Sequence, residues 1–316
     1  MHVLLIGTGY MGREYAKVLD ALHVPYTVVG RGEDSAKAFY EDTNKKPITG
    51  GLENGFAQVE SQVTHAIVAT TLESLEENTS FLLENNVKQI LVEKPAALSL
   101  TGMQQIVDLS KEKQAAVYIA YNRRFYSPVM EAEKRINEEG GLTSFTFEFT
   151  EWSHLVGGLN KTEFQLNNWF IGNSTHVVDT AFYFGGKPKE IHTHVAKPLT
   201  WHPKGSIYAG SGVTEKGVLF SYHANWEAPG SWKLELFTNE SRYIFRPFEK
   251  LHVQKIGSMV IEEVPIDNQL DIQFKPGLYE QTKAFLMDTN LKNRLLNVYD
   301  GIEFMKIYEE MNEGAQ

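Results

Sequence analysis

The sequence predicts an α/β protein of two domains, with a parallel sheet in the first and a large, mostly antiparallel open sheet in an α+β second domain. Three observations predict it. The 316 residues exceed what one core usually serves. Short β-rich runs alternate with helical stretches from residue 2 to about 121, and longer strand-like segments follow one another after about residue 140. We expect the domains at residues 1–122 and 123–316.

The first domain is predicted from five apolar runs. They read "HVLLI", "YTVV", "HAIVAT", "QILVEK" and "AVYIAY", and helical segments such as "MGREYAKVLDAL" and "TGMQQIVDLSKEK" separate them. This alternation is typical of βαβ units, in which helices cover both faces of a parallel sheet.

The second domain begins with a predicted helix over residues 128–138, and "LTSFTFEFTEW" then alternates as a half-exposed strand does. Hairpin-like turns join later runs into an antiparallel sheet. These runs read "EIHTHVAK", "GVLFSYHANW", "WKLELFT", "RYIFRP", "KLHVQKIG" and "SMVIEEV". Two helices, at about 278–287 and 294–312, close the chain. The short connection near Asn122 predicts that the domains pack around a shared cleft.

Composition excludes several classes of function. A net charge of -10 and a pI of about 5.5 leave no electrostatic footprint for nucleic acid or an anionic membrane surface. The absence of cysteine excludes disulfides, thiolate catalysis and cysteine metal sites. No apolar run is long enough for a membrane span, so we expect a cytoplasmic protein. His192 and His194 alternate on one strand without a nearby ligand cluster, so we expect no metal site.

A glycine turn joins the first strand to the first helix. In G-x-G-x-x-G, Gly7 permits the tight turn, Gly9 lets a pyrophosphate approach the backbone, and Gly12 lets helix and strand pack closely. The helix N-terminus then offers free N–H donors to phosphates. The alternative is an ordinary structural turn. The predicted dinucleotide site contains Gly7, Thr8, Gly9, Tyr10, Met11 and Gly12.

The end of the second strand favours NADP over NAD. An NAD site expects a carboxylate there for the ribose 2'-hydroxyl, whereas "VVGRGED" places Gly30 at that position and Arg31 after it. A guanidinium can bind a 2'-phosphate bidentately. The alternative is that Arg31 is a solvated surface side chain and that Glu33 or Asp34 reaches back to the ribose.

Lys94 lies at the end of the apolar run "QILVEKP". Ligands of open parallel sheets bind outside the carboxyl ends of the strands, and Pro95 stops the strand there. A partly desolvated lysine at this edge can exchange protons or hydrogen-bond a substrate oxygen. The alternative without a functional role is a lysine that extends into solvent or pairs with Glu93.

Together these motifs resemble those of the glucose-fructose oxidoreductase / inositol dehydrogenase / MocA family. The resemblance covers the glycine turn, "ATT", "EKP", "YNRRF" and a later "HxxD" helix, in order. It implies a Rossmann domain, a second domain with a large open sheet, and oxidation or reduction of a carbinol on a sugar or cyclitol. It also places Lys94 beside the nicotinamide. Further cofactor candidates from the motifs are Ala69, Thr70, Thr71 and Glu93.

A second catalytic candidate is His176. "GNSTHVVDTAFYFGG" predicts a helix entered through Ser174 or Thr175, with His176 in its first turn and Asp179 on the same face. A helix N-terminus disfavours imidazolium, so a neutral base is expected. The alternative is a capping or interface histidine. The resemblance implies that His176 acts with Lys94, and that many members carry an aspartate where this chain has Gly172.

The hypothesis is a dehydrogenase or reductase in which a nicotinamide ring lies within reach of Lys94 and His176. His176 removes the hydroxyl proton and Lys94 stabilises the developing oxyanion. Arg123 could equally form an interdomain salt bridge, and aromatic rings on strands are most often core. The predicted substrate-binding residues are Tyr121, Asn122, Arg123, Trp152, Trp169, Asn173 and Asp179.

The substrate class follows from the resemblance. "HANWEAPGSWKLELFT" with "FRPFEKL" resembles family members associated with surface polysaccharide biosynthesis, which points to sugars or nucleotide sugars. Rival hypotheses are a noncatalytic dinucleotide-responsive regulator and an NAD-assisted glycoside hydrolase. The family also implies a homodimer or homotetramer that forms through the second sheet.

Overall fold

The computed structural model describes residues 1–287 and 290–314. Internal packing divides the chain into two units. The first holds Met1–Phe125 with Gln269–Glu303, and the second holds Tyr126–Asn268 with the described residues from Phe304 onward. The division into residues 1–122 and 123–316 stays a prediction. In addition, the chain returns to the first unit at Gln269–Glu303.

The regular elements are named in chain order. The strands are β1 (Val3–Ile6), β2 (Tyr26–Val29), β3 (His65–Val68), β4 (Gln89–Glu93), β5 (Ala116–Ala120), β6 (Ser144–Phe149), β7 (Pro188–Ala196), β8 (Ile207–Thr214), β9 (Leu219–Asn225), β10 (Trp232–Phe237), β11 (Ser241–Phe245), β12 (His252–Lys255), β13 (Glu262–Glu263) and β14 (Leu296–Asn297). The α-helices are α1 (Tyr10–Ala21), α2 (Glu33–Thr43), α3 (Leu52–Val59), α4 (Leu75–Glu84), α5 (Leu100–Glu112), α6 (Ser127–Glu138), α7 (Ser153–Val156), α8 (Glu163–Asn167), α9 (Thr175–Gly185), α10 (Gln269–Gln273), α11 (Leu278–Met287) and α12 (Val298–Glu313).

The first unit is built on a sheet of strand order β14-β5-β4-β3-β1-β2. Its first five strands along the chain pair in parallel, and β14 pairs antiparallel with β5. All four residues of β1 are buried, as expected for a strand that helices cover on both faces. The strand order reverses at β1, and ligands of such sheets bind outside the carboxyl ends at this point. The predicted Rossmann fold is confirmed.

The second unit is built on a sheet of strand order β13-β12-β11-β10-β6-β9-β8-β7, in which β6 and β9 are the parallel pair and the other neighbours run antiparallel. β6 alternates between half-buried and buried residues, as its sequence predicts. Phe145 and Phe147 of β6 meet the ring of Phe182 on α9 edge to face, at centroid distances of 5.9 and 5.7 Å. Burying such a ring contributes roughly 1.5–3 kcal/mol, so α9 is fixed to this sheet face.

Two strands were not predicted. β8 is rich in glycine and serine, which disfavour strands, but its glycines permit close packing. A Cβ at Gly210 would lie 2.4 Å from the ring of Tyr222, and one at Gly212 would lie 2.0 Å from the Glu190 carbonyl oxygen. The second unpredicted strand is β14, whose Leu296 pairs with β5. The helix predicted from residue 294 was therefore placed too early, because α12 begins only after β14.

Within the described residues no helix is both long and apolar enough to cross a membrane. The same residues hold no cluster of three or more histidine, cysteine, aspartate or glutamate side chains arranged for a metal ion. His192 and His194 are exposed on β7.

Candidate functional site

The glycine turn is close-packed at both ends and open in the middle. Gly7 has a φ of 116°, and a Cβ there would lie 2.3 Å from the Ala69 carbonyl oxygen. A Cβ at Gly12 would lie 2.0 Å from the Gly7 carbonyl oxygen. A Cβ at Gly9 would meet nothing within 4 Å. The turn therefore requires glycine at its ends for packing, whereas Gly9 faces the space that a pyrophosphate would need.

The helix that follows the turn has no side-chain cap. Gly9 is the N-cap of α1 and makes no side-chain hydrogen bond, and the first turn holds no acidic residue. Thr8 is buried and donates from Oγ1 to Ser35 Oγ at 2.9 Å, while Tyr10 is exposed and Met11 is half-buried. The amides of this helix N-terminus can therefore receive an anion. The residues present fit a dinucleotide phosphate.

Position 30 leaves no room for a carboxylate. A Cβ at Gly30 would lie 2.6 Å from Thr8 Cγ2, and the Gly30 amide donates to the Ile48 carbonyl at 2.9 Å. Arg31 beside it is exposed, and α2 begins two residues later, after Gly32, again without a side-chain cap. Position 30 thus requires glycine because it packs against Thr8 of the glycine turn. The first side chain available to a ribose is that of Arg31.

The segment after β3 packs against the same turn. The Ala69 amide donates to the Ile6 carbonyl at 2.8 Å. Thr70 accepts a hydrogen bond at Oγ1 from the Asn78 side-chain amide at 3.2 Å, and Thr71 is exposed. Ala69, Thr70 and Thr71 therefore lie beside the glycine turn, at the edge of the sheet formed by the carboxyl ends of its parallel strands.

Glu93, the last residue of β4, belongs to a buried network that the sequence did not reveal. The Tyr15 hydroxyl on α1 donates to Glu93 Oε1 at 2.9 Å and lies 3.4 Å from Gln281 Oε1. Burial raises the pKa of Glu93, although Lys94, Tyr15 and Lys275 each oppose the rise. Glu93 thus connects β4 to α1 and α11, so the next residue, Lys94, follows a fixed strand end.

The turn after β5 positions Tyr121, Asn122 and Arg123. Tyr121 and Asn122 are buried, and the Asn122 side-chain amide donates to the Pro276 carbonyl at 2.9 Å. Arg124, next in the chain, donates through its guanidinium to the Arg294 carbonyl at 3.4 Å. The returning segment thereby fixes this turn.

Lys275 is a further cation near the glycine turn. Its Nζ lies 5.2 Å from the centre of the Tyr10 ring in the glycine turn. Burial lowers the pKa of Lys275, the positive charge of Arg123 lowers it further, and Glu93 and Glu14 oppose the shift. Local sequence gives no signal for this position, because the contacts come from a distant part of the chain.

In the second unit, the helix that carries His176 begins differently from the prediction. A π-helical turn, Phe170–Ser174, runs directly into α9, and Ser174 is already helical, with φ -65° and ψ -24°. Ser174 makes no cap through its side chain. His176 is therefore not at an open helix N-terminus, and that argument for a neutral imidazole was wrong. His176 and Asp179 are both buried, one turn apart.

Glu151 is the functional candidate that sequence reasoning missed. It follows β6 and is 7% exposed. Its Oε1 accepts hydrogen bonds from Ser174 Oγ at 2.8 Å, Asn173 Nδ2 at 2.9 Å and Trp232 Nε1 at 3.3 Å. Burial raises the pKa of Glu151, and the hydrogen bonds from Ser174, Asn173 and Trp232 oppose the rise. An acidic residue directly after an alternating strand was the signal that could have found it.

An open surface pocket of about 320 Å³, called the cavity below, lies beside Glu151 within the second unit. Trp152 lines it, is 53% exposed, and donates from Nε1 to the Gly230 carbonyl at 2.8 Å. The ring of His176 lies 6.3 Å from that of Trp232, on the cavity wall. Trp169 meets the Trp201 ring edge to face instead, at 6.4 Å. Side chains on the wall include Glu151, Trp152, Leu155, Val156, Ser231 and Trp232.

The predicted site residues thus form two groups, one in each unit. The first follows β1, β2, β3, β4 and β5, whose carboxyl ends share one edge of the parallel sheet. The second lies around the π-helical turn, α9 and the end of β6. In the first group are the glycine turn, Gly30, Arg31, Ala69, Thr70, Thr71, Glu93, Lys94, Tyr121, Asn122 and Arg123, and in the second are Trp152, Trp169, Asn173, His176 and Asp179.

The chain is also similar to known proteins in sequence. Residues 1–121 match the family model described as "Oxidoreductase family, NAD-binding Rossmann fold". An uncharacterized oxidoreductase of Streptococcus pneumoniae serotype 4 (strain ATCC BAA-334 / TIGR4) is 25% identical over 134 residues, which are 42% of this chain. The match spans about a third of that relative, 35% of its length.

Solved structures share the fold over nearly the whole chain. UDP-N-acetylglucosamine 3-dehydrogenase from Acidithiobacillus ferrooxidans has a TM-score of 0.77 at 13% identity, covering 99% of this chain and 96% of that one. Levoglucosan dehydrogenase, in complex with NADH and levoglucosan, has a TM-score of 0.78 at 18% identity with the same coverage, 99% and 96%. At such low identities the likeness shows the fold.

The family match confirms the resemblance read from the sequence motifs, and with it the oxidoreductase assignment at the level of the family. Residues 1–121 of this chain are thus a Rossmann domain that matches the glucose-fructose oxidoreductase / inositol dehydrogenase / MocA family of NAD-binding oxidoreductases.

Proposed function

We propose that this protein is an NAD(P)-dependent oxidoreductase that transfers a hydride between a nicotinamide cofactor and a carbinol or ketone of a sugar, nucleotide sugar or cyclitol. One observation carries the proposal. In a domain of the oxidoreductase family, a close-packed glycine turn leaves open space at Gly9 and leads into an uncapped helix. That arrangement holds a dinucleotide phosphate.

The proposed cofactor contacts come from the carboxyl edge of the parallel sheet. The turn from Gly7 to Gly12 holds the pyrophosphate, and the residues after β2 and β3 hold the ribose and the adjoining phosphate oxygens. NADP is favoured, since Gly30 carries no carboxylate and Arg31 is exposed beside it. Levoglucosan dehydrogenase was solved with NADH, so NAD remains the alternative.

The proposed roles in the reaction follow from the two ionisable candidates. Bound NAD(P) supplies the hydride acceptor in oxidation and the donor in reduction. As the carbinol C–H bond breaks and the carbonyl forms, His176 takes the hydroxyl proton. Its Nδ1 is buried, so Nε2 is the nitrogen we assign to that transfer. Lys94 Nζ stabilises the negative charge on the substrate oxygen. In reduction both groups act in reverse.

The proposed substrate class rests on the second unit. Its cavity combines two indoles with a carboxyl and a hydroxyl, a mixture that suits the C–H faces and polar edges of sugars. Two proteins of the same fold act on UDP-N-acetylglucosamine or bind levoglucosan, by their names. A nucleotide sugar substrate would also support the predicted role in surface polysaccharide biosynthesis.

The test is an activity panel on the purified protein. Sugars, sugar phosphates, nucleotide sugars and cyclitols are assayed with NAD and NADP by absorbance of the reduced nicotinamide. We expect turnover by the parent, and a fall in kcat of about 10²–10⁴-fold in Lys94→Ala and in His176→Ala. Lys88→Ala, at the opposite end of the same strand, serves as the matched control and should retain activity. Full activity of Lys94→Ala would remove that residue from the mechanism.

We also propose that the protein is a homodimer or homotetramer that forms through the second sheet. Leu219, Ser221 and His223 of β9 are exposed on the face opposite the buried Phe220 and Tyr222, and Leu219 is 62% exposed. Light scattering after gel filtration should give two or four times the chain mass of 35.8 kDa. Leu219→Arg should shift the mass toward one chain, and a monomeric parent would contradict the proposal.

A further inference from the structure

Glu151 has partners that are unusual for a buried carboxyl. The three side chains that hydrogen-bond to it, Asn173, Ser174 and Trp232, are all neutral. A buried carboxylate without a cation is costly, so burial favours the neutral carboxyl, although the donated hydrogen bonds favour the carboxylate. The three measured bonds all end on Oε1. Oε2 receives none of these three bonds.

The carboxyl also belongs to the wall of a cavity of the size that small molecules occupy. Its volume of about 320 Å³ falls within the range of about 300–1,000 Å³ usual for ligand pockets. Trp152 and Trp232 line it, and two apolar residues, Leu155 and Val156, add to that surface. A ligand here would meet aromatic and apolar walls and one carboxyl.

The donors that fix Glu151 come from two places in the fold. Asn173 and Ser174 lie in the π-helical turn, and Trp232 begins β10, which pairs with β6. π-Helical turns are rare and frequently occur at functional sites. Here the turn aims two side chains at one oxygen. The carboxyl is therefore held in a fixed orientation, as a recognition group must be.

We propose that Glu151 is a specificity-determining residue of the second unit, one that donates a hydrogen bond from its neutral carboxyl to an oxygen of an uncharged polyhydroxylated ring stacked on Trp152 and Trp232. This inference rests on the proposed function for the identity of the ligand as substrate, but binding in the cavity is measurable without the cofactor. Because the carboxyl has no cationic partner among these contacts, a ligand with a carboxylate in the same place is disfavoured.

Binding without cofactor tests the proposal directly. Levoglucosan, myo-inositol, UDP-N-acetylglucosamine and glucuronate are titrated against the full chain, with tryptophan fluorescence and ligand-observed NMR as readouts. We expect at least one uncharged ring or nucleotide sugar to bind the parent, and glucuronate to bind at least tenfold more weakly than the best ligand. Failure of levoglucosan, myo-inositol and UDP-N-acetylglucosamine alike to bind the parent overturns the proposal.

The variants separate recognition from folding. Glu151→Gln keeps both the volume and an N–H donor, so its Kd should stay within about threefold of the parent. Glu151→Leu removes the donor, and Trp152→Ala removes an exposed ring. Each should weaken binding about tenfold, which is about 1.4 kcal/mol. Glu148→Gln, three residues earlier on β6, is the matched control and should bind as the parent does.

Melting curves establish that each variant is folded. If Glu151→Leu does not fold, Glu151→Asp replaces it, because shortening the side chain withdraws the carboxyl from the ligand and the same loss is expected. Parent-like binding by the folded Leu or Asp variant overturns the proposal, as does a Gln variant that loses binding as fully as Leu. Cavity binding without turnover would instead contradict the proposed function alone.

Discussion

Arg31 is the residue that we expect to decide between the two dinucleotides. It is exposed directly after Gly30, whose packing against Thr8 prevents any side chain at that position. An engineered carboxylate at position 30 would therefore disturb the turn itself. The informative substitution is at Arg31, where a change alters charge without altering packing.

We predict that Arg31→Ala lowers kcat/KM for NADP by about tenfold or more and leaves the value for NAD within twofold. The reason is loss of a charge-assisted hydrogen bond, worth about 1.5–3 kcal/mol, to the 2'-phosphate. The measurement is steady-state kinetics with both cofactors. Lys37→Ala, an exposed cation on the following helix, is the control. Unchanged NADP kinetics in Arg31→Ala would leave Arg31 as a solvated surface residue.

At the scale of the element, the glycine turn before α1 contains one glycine that packing requires and another that faces the proposed phosphate site. A Cβ at Gly12 collides with the backbone of Gly7, whereas a Cβ at Gly9 meets no protein atom within 4 Å. The two glycines therefore serve different purposes, although both belong to one six-residue motif.

We predict that Gly12→Ala lowers the melting temperature by several degrees, because overpacking costs about 1–3 kcal/mol. Gly9→Ala should leave the melting temperature of the free protein nearly unchanged and raise the Kd for NADP about tenfold. Differential scanning fluorimetry and cofactor titration measure the two effects. Equal cofactor affinity in Gly9→Ala and the parent would show that no phosphate approaches this point.

At the scale of the whole molecule, Glu139 connects several elements of the second unit. Its Oε1 accepts from Ser241 at 2.7 Å, from Tyr243 at 2.8 Å and from Lys255 at 2.8 Å, and its Oε2 accepts from Thr238 at 2.6 Å. Burial would raise the pKa of Glu139, but the four hydrogen bonds outweigh it and lower the pKa to about 2. The end of α6 is thereby fixed to β11 and β12.

This lowered pKa predicts acid sensitivity. A carboxyl whose folded pKa lies below its ordinary value of 4.5 stabilises the fold above that value, and the contribution is lost as the pH falls from about 4.5 to 2. Melting temperatures measured from pH 2 to 6 should fall through this window. The fall should be smaller in Glu139→Gln and unchanged in Glu138→Gln, its exposed neighbour. A parent-like acid profile in Glu139→Gln would contradict the assignment.

The elements that the sequence predicted well are those whose causes are local. The three glycines of the turn lie within six residues, the buried strands are continuous apolar runs, and β6 shows its exposure in strict alternation. β8 could not be predicted because its glycines are required by side chains of β9 and by the backbone of β7. The same holds for β14, a strand only because β5 is there to pair with it.

The sequence by itself determined the Rossmann domain, its glycine turn and the family resemblance of residues 1–121, because each depends on residue types at short spacing. Only the tertiary structure placed Glu151 beside Asn173 and Ser174, which lie 22 and 23 positions away, and brought Tyr15 to Glu93 across 78 positions. Burial and hydrogen-bond partners decide what a carboxyl does, and those partners come from distant parts of the chain. Local sequence patterns therefore cannot predict the burial or the hydrogen-bond partners of such a carboxyl.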